Sequence, residues 1–361
     1  MEPTITILND EDILEFRIEN TNVSIVNAIR RILLSNIETV VIKTFPHEEC
    51  QCTILNNTSR FTNEMIKQRL SCLPIYLKPD AVDLTKYEIK CSKQNDTDTI
   101  IYITTADLEI YNIETAEKLD SSQIFPPDPI TDQHIDILRL KPRLNETTLG
   151  ESIEFTCTMS IGTASDNSSF NVVTKATYKN TLDGPAADIA WTQHKTDIKK
   201  GEDIEFIQKN WYLLEAKRYF VENSFDFKVQ TIGIWTNSEL IQLACDIMHK
   251  KLENLKHILE NGSIQIDESV STISNCYDIT LINEDYTLGK CLEYILHEKY
   301  YKETKKLSYV GFKKDHPHDN HSILRLAFRE HDEEIKLKLY ECLMEGIGTL
   351  VQIFLAIKNK F

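Results

Sequence analysis

A chain of 361 residues, 41% hydrophobic and 27% charged, is long enough to bury more than one core without disulfides or metals. It has no run approaching about 18 consecutive apolar residues, which argues against a transmembrane span, and its formal net charge of -16 opposes bulk binding to phosphodiester backbones. Only ten glycines occur, the first at Gly150, and none of the later ones takes G-x-G-x-x-G or G-x-x-x-x-G-K-[ST] spacing, which argues against a Rossmann or P-loop nucleotide site.

The first ten residues carry neither a basic n-region nor an apolar h-region, so no secretory signal is expected and the thiols stay reduced. Ile13 to Asn20 alternates apolar and polar residues as a half-buried strand does, and Ser24 to Leu33 follows as a helix with Ile25, Ile29, Ile32 and Leu33 on one face. Arg30 and Arg31 lie about 100° apart on that helix, so at least one points away from the apolar face. Planar bidentate pairing would suit it to a protein interface.

The region from residue 43 to 205 differs in character. Thr62 to Leu70 reads as a helix stopped by Pro74, followed by strands over Thr99–Ile103 and Ile153–Cys157 with the proline-rich turn Phe125 to Pro129 between them. Cys50-x-Cys52 is the one close cysteine pair, with no second pair to complete a zinc knuckle. Ile189 to Glu205 reads as a polar return to the first module. After it comes a long helix in which Ile241, Cys245, Met248, Leu252, Leu255 and Leu259 step by 4 and 3, closed by Asn261-Gly262.

Gly262 to Ser274 reads as a linker. Beyond it the first pattern returns 263 positions later: Cys276 to Asn283 matches the strand, and Thr287 to Leu296 matches the helix, with Leu288, Leu292, Ile295 and Leu296 on one face. The chain then closes with a second long helix, in which Tyr340, Leu343, Ile347, Leu350, Phe354 and Ile357 step by 3 and 4. His316-Pro317-His318-Asp319-Asn320-His321 is the one dense group of potential metal ligands. Pro317 makes it a turn, and it supports the alternative of a free-standing metal- or thiol-dependent enzyme.

These residues resemble a known family. Asn27-Ala28-Ile29-Arg30-Arg31-Ile32-Leu33-Leu34, Asn57-Thr58-Ser59 with Glu64, and Arg69-Leu70-x-x-Leu73-Pro74 are similar to the third subunit of eukaryotic RNA polymerase II, the archaeal D subunit and, more distantly, the bacterial alpha subunit. Tyr102-x-x-x-Ala106-Asp107-Leu108 and Phe125-Pro126 before the strand Ile135–Leu140 continue the likeness. Glu284-Asp285-Tyr286-Thr287-Leu288-Gly289 and Val310-Gly311-Phe312-x-x-x-His316-Pro317 resemble the eleventh subunit and archaeal subunit L, with Tyr286 and Lys290 departing from that pattern.

The resemblance implies an α+β fold of two related alpha-subunit-like dimerisation modules forming an intramolecular pseudo-dimer, as in a fused subunit of a nucleocytoplasmic large DNA virus. The expected division is a first module at 1–42 and 206–261, a mostly β domain inserted at 43–205, a linker at 262–272 and a second module at 273–361. The implied role is a noncatalytic assembly scaffold of a DNA-directed RNA polymerase. It would hold the two large catalytic subunits and small subunits, meet DNA only through the complex, and need no membrane and no homo-oligomer. An intracellular site, and for a virus the virion and cytoplasmic factory, is expected. Asn27, Arg30, Arg31, Glu64 and Arg69 would face a large subunit. Ile241, Met248, Leu252, Leu255, Leu343, Ile347, Leu350 and Phe354 would form the dimer interface, and Thr287, Leu288 and Gly289 would start the corresponding second helix. No cofactor is expected, since Ala81 to Thr99 offers only Cys91 where some relatives carry a four-cysteine loop.

Overall fold

The computed structural model describes residues 2–143, 145, 149–198, 203–331 and 334–361. In chain order the elements begin with β1 (Thr4–Asp10), β2 (Leu14–Glu19) and α1 (Val23–Ser35). Next come β3 (Thr39–Val41), β4 (Cys52–Asn57), α2 (Asn63–Ser71), β5 (Tyr87–Gln94), β6 (Ile101–Thr104), β7 (Glu109–Asn112), β8 (Lys118–Leu119), α3 (Ser121–Ile124), β9 (Asp136–Leu140), β10 (Ser152–Thr158) and β11 (Ser160–Gly162). The chain returns through β12 (Val173–Leu182), α4 (Gly184–Thr196), α5 (Ile204–Leu213), β13 (Phe220–Thr231) and α6 (Asn237–Glu260). It ends with β14 (Gln265–Glu268), β15 (Cys276–Ile282), α7 (Tyr286–Leu296), β16 (Leu307–Lys313), β17 (His321–Phe328) and α8 (Ile335–Lys358).

Two compact units result. One comprises Met1–Leu33, Lys175–Gln230 and Asn237–Phe361, the other Leu34–Thr174 and Thr231–Thr236. The first contains two four-stranded sheets, ordered β1-β2-β13-β12 and β14-β15-β17-β16. Both follow from period-two patterning. Leu14, Phe16 and Ile18 of β2 are buried while their neighbours are half-exposed, and Ile279 and Leu281 of β15 are buried in the same alternation. Each sheet carries a cross-strand ion pair at the equivalent position of the repeat. Glu15 bonds to Lys228 directly opposite, and Asp278 takes the Arg325 fork at 2.6 and 2.7 Å.

The helices α6 and α8 pack along one another. Ile241, Met248, Leu252 and Leu255 on α6, and Leu343, Ile347, Leu350 and Phe354 on α8, are all buried. Burying a side chain of this size contributes about 1.5–3 kcal/mol. Lys358 adds contacts of 2.6 and 2.8 Å to the Asp246 carboxylate. The α6 helix stops at Gly262, whose φ of +64° suits a residue without a Cβ, and the amides of Gly262 and Ser263 donate to the carbonyls of Leu259 and Ile258. By length and composition α8 could cross a membrane, with mean hydropathy 1.4. Its apolar stripe is instead buried against α6 and α7.

The second unit is mostly β, with a five-stranded sheet ordered β4-β10-β5-β7-β8 and the pairs β3–β11 and β6–β9. Its core joins Ile66 and Leu70 of α2 to Ile89, Cys91, Ile153, Phe155 and Cys157 of the sheet.

Several segments differ from the sequence expectation, among them Leu34 to Ile42 and Thr231 to Thr236, expected in the first module but clustered with the second unit. The polar stretch Ile189 to Glu205 is not a mere return, because α4 covers its start and α5 begins at its end. A small cluster of Ala187, Trp191, Trp211 and Ala216 anchors these helices, with the two tryptophan rings 5.6 Å apart. The segment read as a linker holds β14, which pairs with β15 as an edge strand. Finally, Lys175 to Glu205, expected in the inserted domain, clusters with the first unit because β12 completes its sheet beside β13.

Candidate subunit-association site

The site is built at the two repeated helices. Each opens with a side-chain cap at the same position of the repeat. Asn22 Oδ1 accepts the Ser24 amide at 2.9 Å, and Asp285 Oδ1 accepts the Thr287 amide at 2.8 Å. Ile25, Ile29, Ile32 and Leu33 of α1 and Leu288, Leu292, Ile295 and Leu296 of α7 are buried, as their spacing predicts.

The helices then exchange contacts. Arg31 reaches from α1 to the start of α7, where Nε donates to Thr287 Oγ1 at 2.8 Å and Nη2 to Asp285 Oδ2 at 2.5 Å. In the other direction the Cys291 thiol of α7 lies 3.5 Å from the Ser24 carbonyl of α1, sharing its hydrogen with the Thr287 carbonyl of its own helix at 3.3 Å. Beside Asp285, the Glu284 carboxylate holds Lys251 of α6 at 3.1 and 3.2 Å. Adjacent acids thus grip cations from two different helices, α1 and α6.

Their titration follows from their surroundings. Burial raises the Asp285 carboxyl, but the Thr287 hydroxyl and amide, with Arg31, more than reverse this, and its pKa falls below the ordinary value. Glu284 goes the other way, since its burial outweighs the charge of Lys251 and its pKa rises.

Gly289 has a packing reason. A Cβ there would lie 2.1 Å from the Phe312 ring, which meets Tyr286 edge-on with centroids 5.3 Å apart. Thr287 and Leu288 are buried beside it.

The outward faces are also equivalent in position and opposite in chemistry. On α1 the stripe is Val23, Asn27 and Arg30, with Arg30 Nε donating to Asn27 Oδ1 at 2.9 Å. On α7 it is Tyr286, Lys290 and Glu293, with Lys290 Nζ at 2.6 Å from Glu293 Oε2. Glu293 further accepts the Phe312 amide at 3.0 Å. Among the described residues no carboxylate pairs with Arg30. Arg31, expected to face a large subunit, has its guanidinium engaged within the chain by Thr287 and Asp285.

In the second unit Glu64 lies exposed in the first turn of α2, its carboxyl lowered by its own backbone amide and then by the Thr62 hydroxyl. Arg69 ties the end of that helix to β9, donating to the carbonyls of Ile137 and Asp136 at 2.5 and 2.6 Å while stacking over Phe61. The Asn57-Thr58-Ser59 motif closes the loop between β4 and α2, with Asn57 Nδ2 donating to the Phe61 carbonyl and Asn57 Oδ1 accepting the Ser59 amide. In the other quoted motif Asp107 closes a capping box on Thr104.

The histidine segment is an exposed turn between β16 and β17, in which the His316 amide donates to Asp319 and His316 Nδ1 accepts the His318 amide. Among the described residues no three His, Cys, Asp or Glu side chains converge as metal ligands. Cys91 is buried, and its thiol is pushed up to about 12.

Buried helix faces joined by ion pairs at the helix ends define an α+β module built on paired helices. The family profile of the RNA polymerase Rpb3/Rpb11 dimerisation domain matches residues 15–252, and the chain belongs to that family. It is 24% identical over 289 residues to the yeast (Saccharomyces cerevisiae) DNA-directed RNA polymerases I and III subunit RPAC1, covering 67% of this chain and 83% of that one. The corresponding subunit of Dictyostelium discoideum is 26% identical over 185 residues, covering 46% and 48%. A conjugation stage-specific protein of Tetrahymena thermophila is 27% identical over 189 residues, covering 48% and 58%. Apart from the yeast protein, the chain spans about half the length of these relatives.

Proposed function

We propose that this chain is a noncatalytic assembly subunit of a multisubunit DNA-directed RNA polymerase, with two dimerisation modules pairing as an intramolecular pseudo-dimer. The observation that carries this is the grip of Glu284 and Asp285 on Lys251 and Arg31, together with the return contact from Cys291 to Ser24. Such reciprocity, in which equivalent elements touch one another both ways, is the mark of an isologous interface. The family match to residues 15–252 supports the first module directly, and the second follows from the repeat of sheet, capped helix and long helix. In this reading the mostly β unit is an insertion in the first module.

The outward faces of α1 and α7 dock the two large catalytic subunits. Their chemistry keeps the partners distinct, since Arg30 offers an unpaired planar cation where α7 offers the Lys290–Glu293 pair and the Tyr286 ring. Glu64 and Arg69 add contacts from the β unit. DNA is met through the complex, as the acidity of the chain requires.

Co-purification tests this. Tagged chain should recover large polymerase subunits, and Arg30→Glu should lose one of them while circular dichroism and melting stay unchanged. Recovery of the unsubstituted chain without any large subunit would overturn the function, and normal assembly of Arg30→Glu would overturn the α1 assignment.

A further inference from the structure

Cys52 and Cys157 stand directly opposite one another on the antiparallel strands β4 and β10. The Thr158 amide donates to the Gln51 carbonyl at 2.9 Å, so Thr158–Gln51 is the hydrogen-bonded pair and Cys157–Cys52 the adjacent non-hydrogen-bonded one. Pairs of that kind bring Cα atoms to about 4.5 Å, inside the span of about 4.4–6.8 Å that a disulfide bridges. Both side chains point into the same core and each is 1% exposed. The two thiols are neighbours whose titrations are linked, the Cys52 pKa lowered by Cys157 and that of Cys157 raised by Cys52 and by burial. Cys52, on the edge strand, is the thiol that an opening of that strand presents first.

Access comes from the topology. The β4 strand is at the edge of its sheet, and an edge strand is held on one side only, so its opening exposes the pair without unfolding the sheet. Cys50, two residues upstream, is half-buried, and its thiol donates to the Cys52 carbonyl at 3.3 Å.

We propose that Cys52 and Cys157 form a reversible cross-strand disulfide when the chain meets a small-molecule disulfide such as glutathione disulfide. The Cys52 thiolate attacks one sulfur of the oxidant and expels one small thiol. Cys157 then loses its proton to water and attacks the Cys52 sulfur of the mixed disulfide, expelling the second small thiol. The two protein thiols give up two electrons and two protons, and the oxidant leaves as two thiols. The product clamps edge strand β4 to β10 and closes a loop of about 100 residues. That loop includes α2 with Glu64 and Arg69, so oxidation stiffens the platform that presents them.

The full chain, native and unsubstituted, is treated with glutathione disulfide, alkylated, digested without reduction and mapped by mass spectrometry. The expected result is a Cys52 peptide joined to a Cys157 peptide with about 2 Da lost, reversed by dithiothreitol. A raised unfolding temperature of the oxidised chain accompanies it. Cys50→Ser and Cys91→Ser keep the link, and Cys157→Ser abolishes it. Recovery of both cysteines as alkylated free thiols, a lasting glutathione adduct on Cys52, or a link from either to Cys50 or Cys91 would overturn the proposal. The mapping uses the natural chain, so the folding of any variant does not decide it.

Discussion

Arg31 in the last turns of α1 and Asp285 at the cap of α7 meet at 2.5 Å although 254 residues separate them in the chain. Asp285 does two jobs with its two oxygens: Oδ1 caps its own helix, and Oδ2 receives the arginine. The same carboxylate that starts α7 therefore fixes where α1 lies against it.

Arg31→Ala should lower stability to urea by about 1 kcal/mol, since both side chains are over a third exposed and water screens the pair. A double-mutant cycle with Asp285→Ala should return a coupling of about 0.5–1 kcal/mol that shrinks at high salt. Arg31→Lys should recover little of it, because a single ammonium cannot reproduce the fork onto Thr287 and Asp285. Additivity of the two alanine substitutions would remove the bridge from the account.

Acid should destabilise the fold. Asp285 and Asp278 have pKa values below ordinary, the latter chiefly through hydrogen bonds from Arg325. A carboxylate lowered in the folded state contributes stability that is full above its unfolded pKa and is lost as pH falls through the folded one, here below about pH 4. Glu284, raised by burial, contributes with the opposite sign just above that range. Thermal midpoints measured from pH 3 to 7 should fall on the acid side, and Glu284→Gln should make that fall steeper just above the ordinary carboxylate range, where the raised Glu284 takes up its proton. A flat profile would contradict both assignments.

Gly289→Ala should cost about 1–3 kcal/mol, because the Phe312 ring occupies the space of the new methyl group and a ring cannot bend away as a flexible chain end can. In a Phe312→Leu background the additional cost of the alanine should be smaller. Chemical denaturation of the four proteins measures the difference.

At the long helices, Leu252→Ala and Leu350→Ala should each lose about 2–5 kcal/mol, since both side chains are fully buried between α6 and α8. Leu355→Ala on the same α8 helix is 40% exposed and should stay within about 0.5 kcal/mol of the parent. Equal effects would mean that the helix presents a different face.

The repeat was legible because its signals are local. Alternation in β2 and β15, the stripes of α1 and α7, and the stepping of α6 and α8 each fit within one window of sequence, and these residues are buried as read except Tyr340, which is half-exposed while Leu339 beside it is buried. The α4 and α5 helices were not legible, since a buried face of Ala187, Trp191 and Trp211 leaves a pattern too thin to stand out among polar residues. Nor was the role of Arg31, whose acceptors lie in the other half of the chain, or the pairing of Cys52 with Cys157, which depends on strand register across about 100 residues. The Asn22 and Asp285 caps were within reach: an Asx residue just before each apolar stripe at the same offset is a readable start signal.

Gly262 and β14 have one more consequence, because they keep α6 and α8 on a single polypeptide. In the proposed pseudo-dimer, two modules joined by so short a connection face one another at a local concentration of about millimolar or above, whatever the amount of protein in solution. Dilution cannot part them. Their ratio is fixed at synthesis, neither half can be captured by a copy from another complex without first leaving its own partner, and the melting temperature should not move with protein concentration.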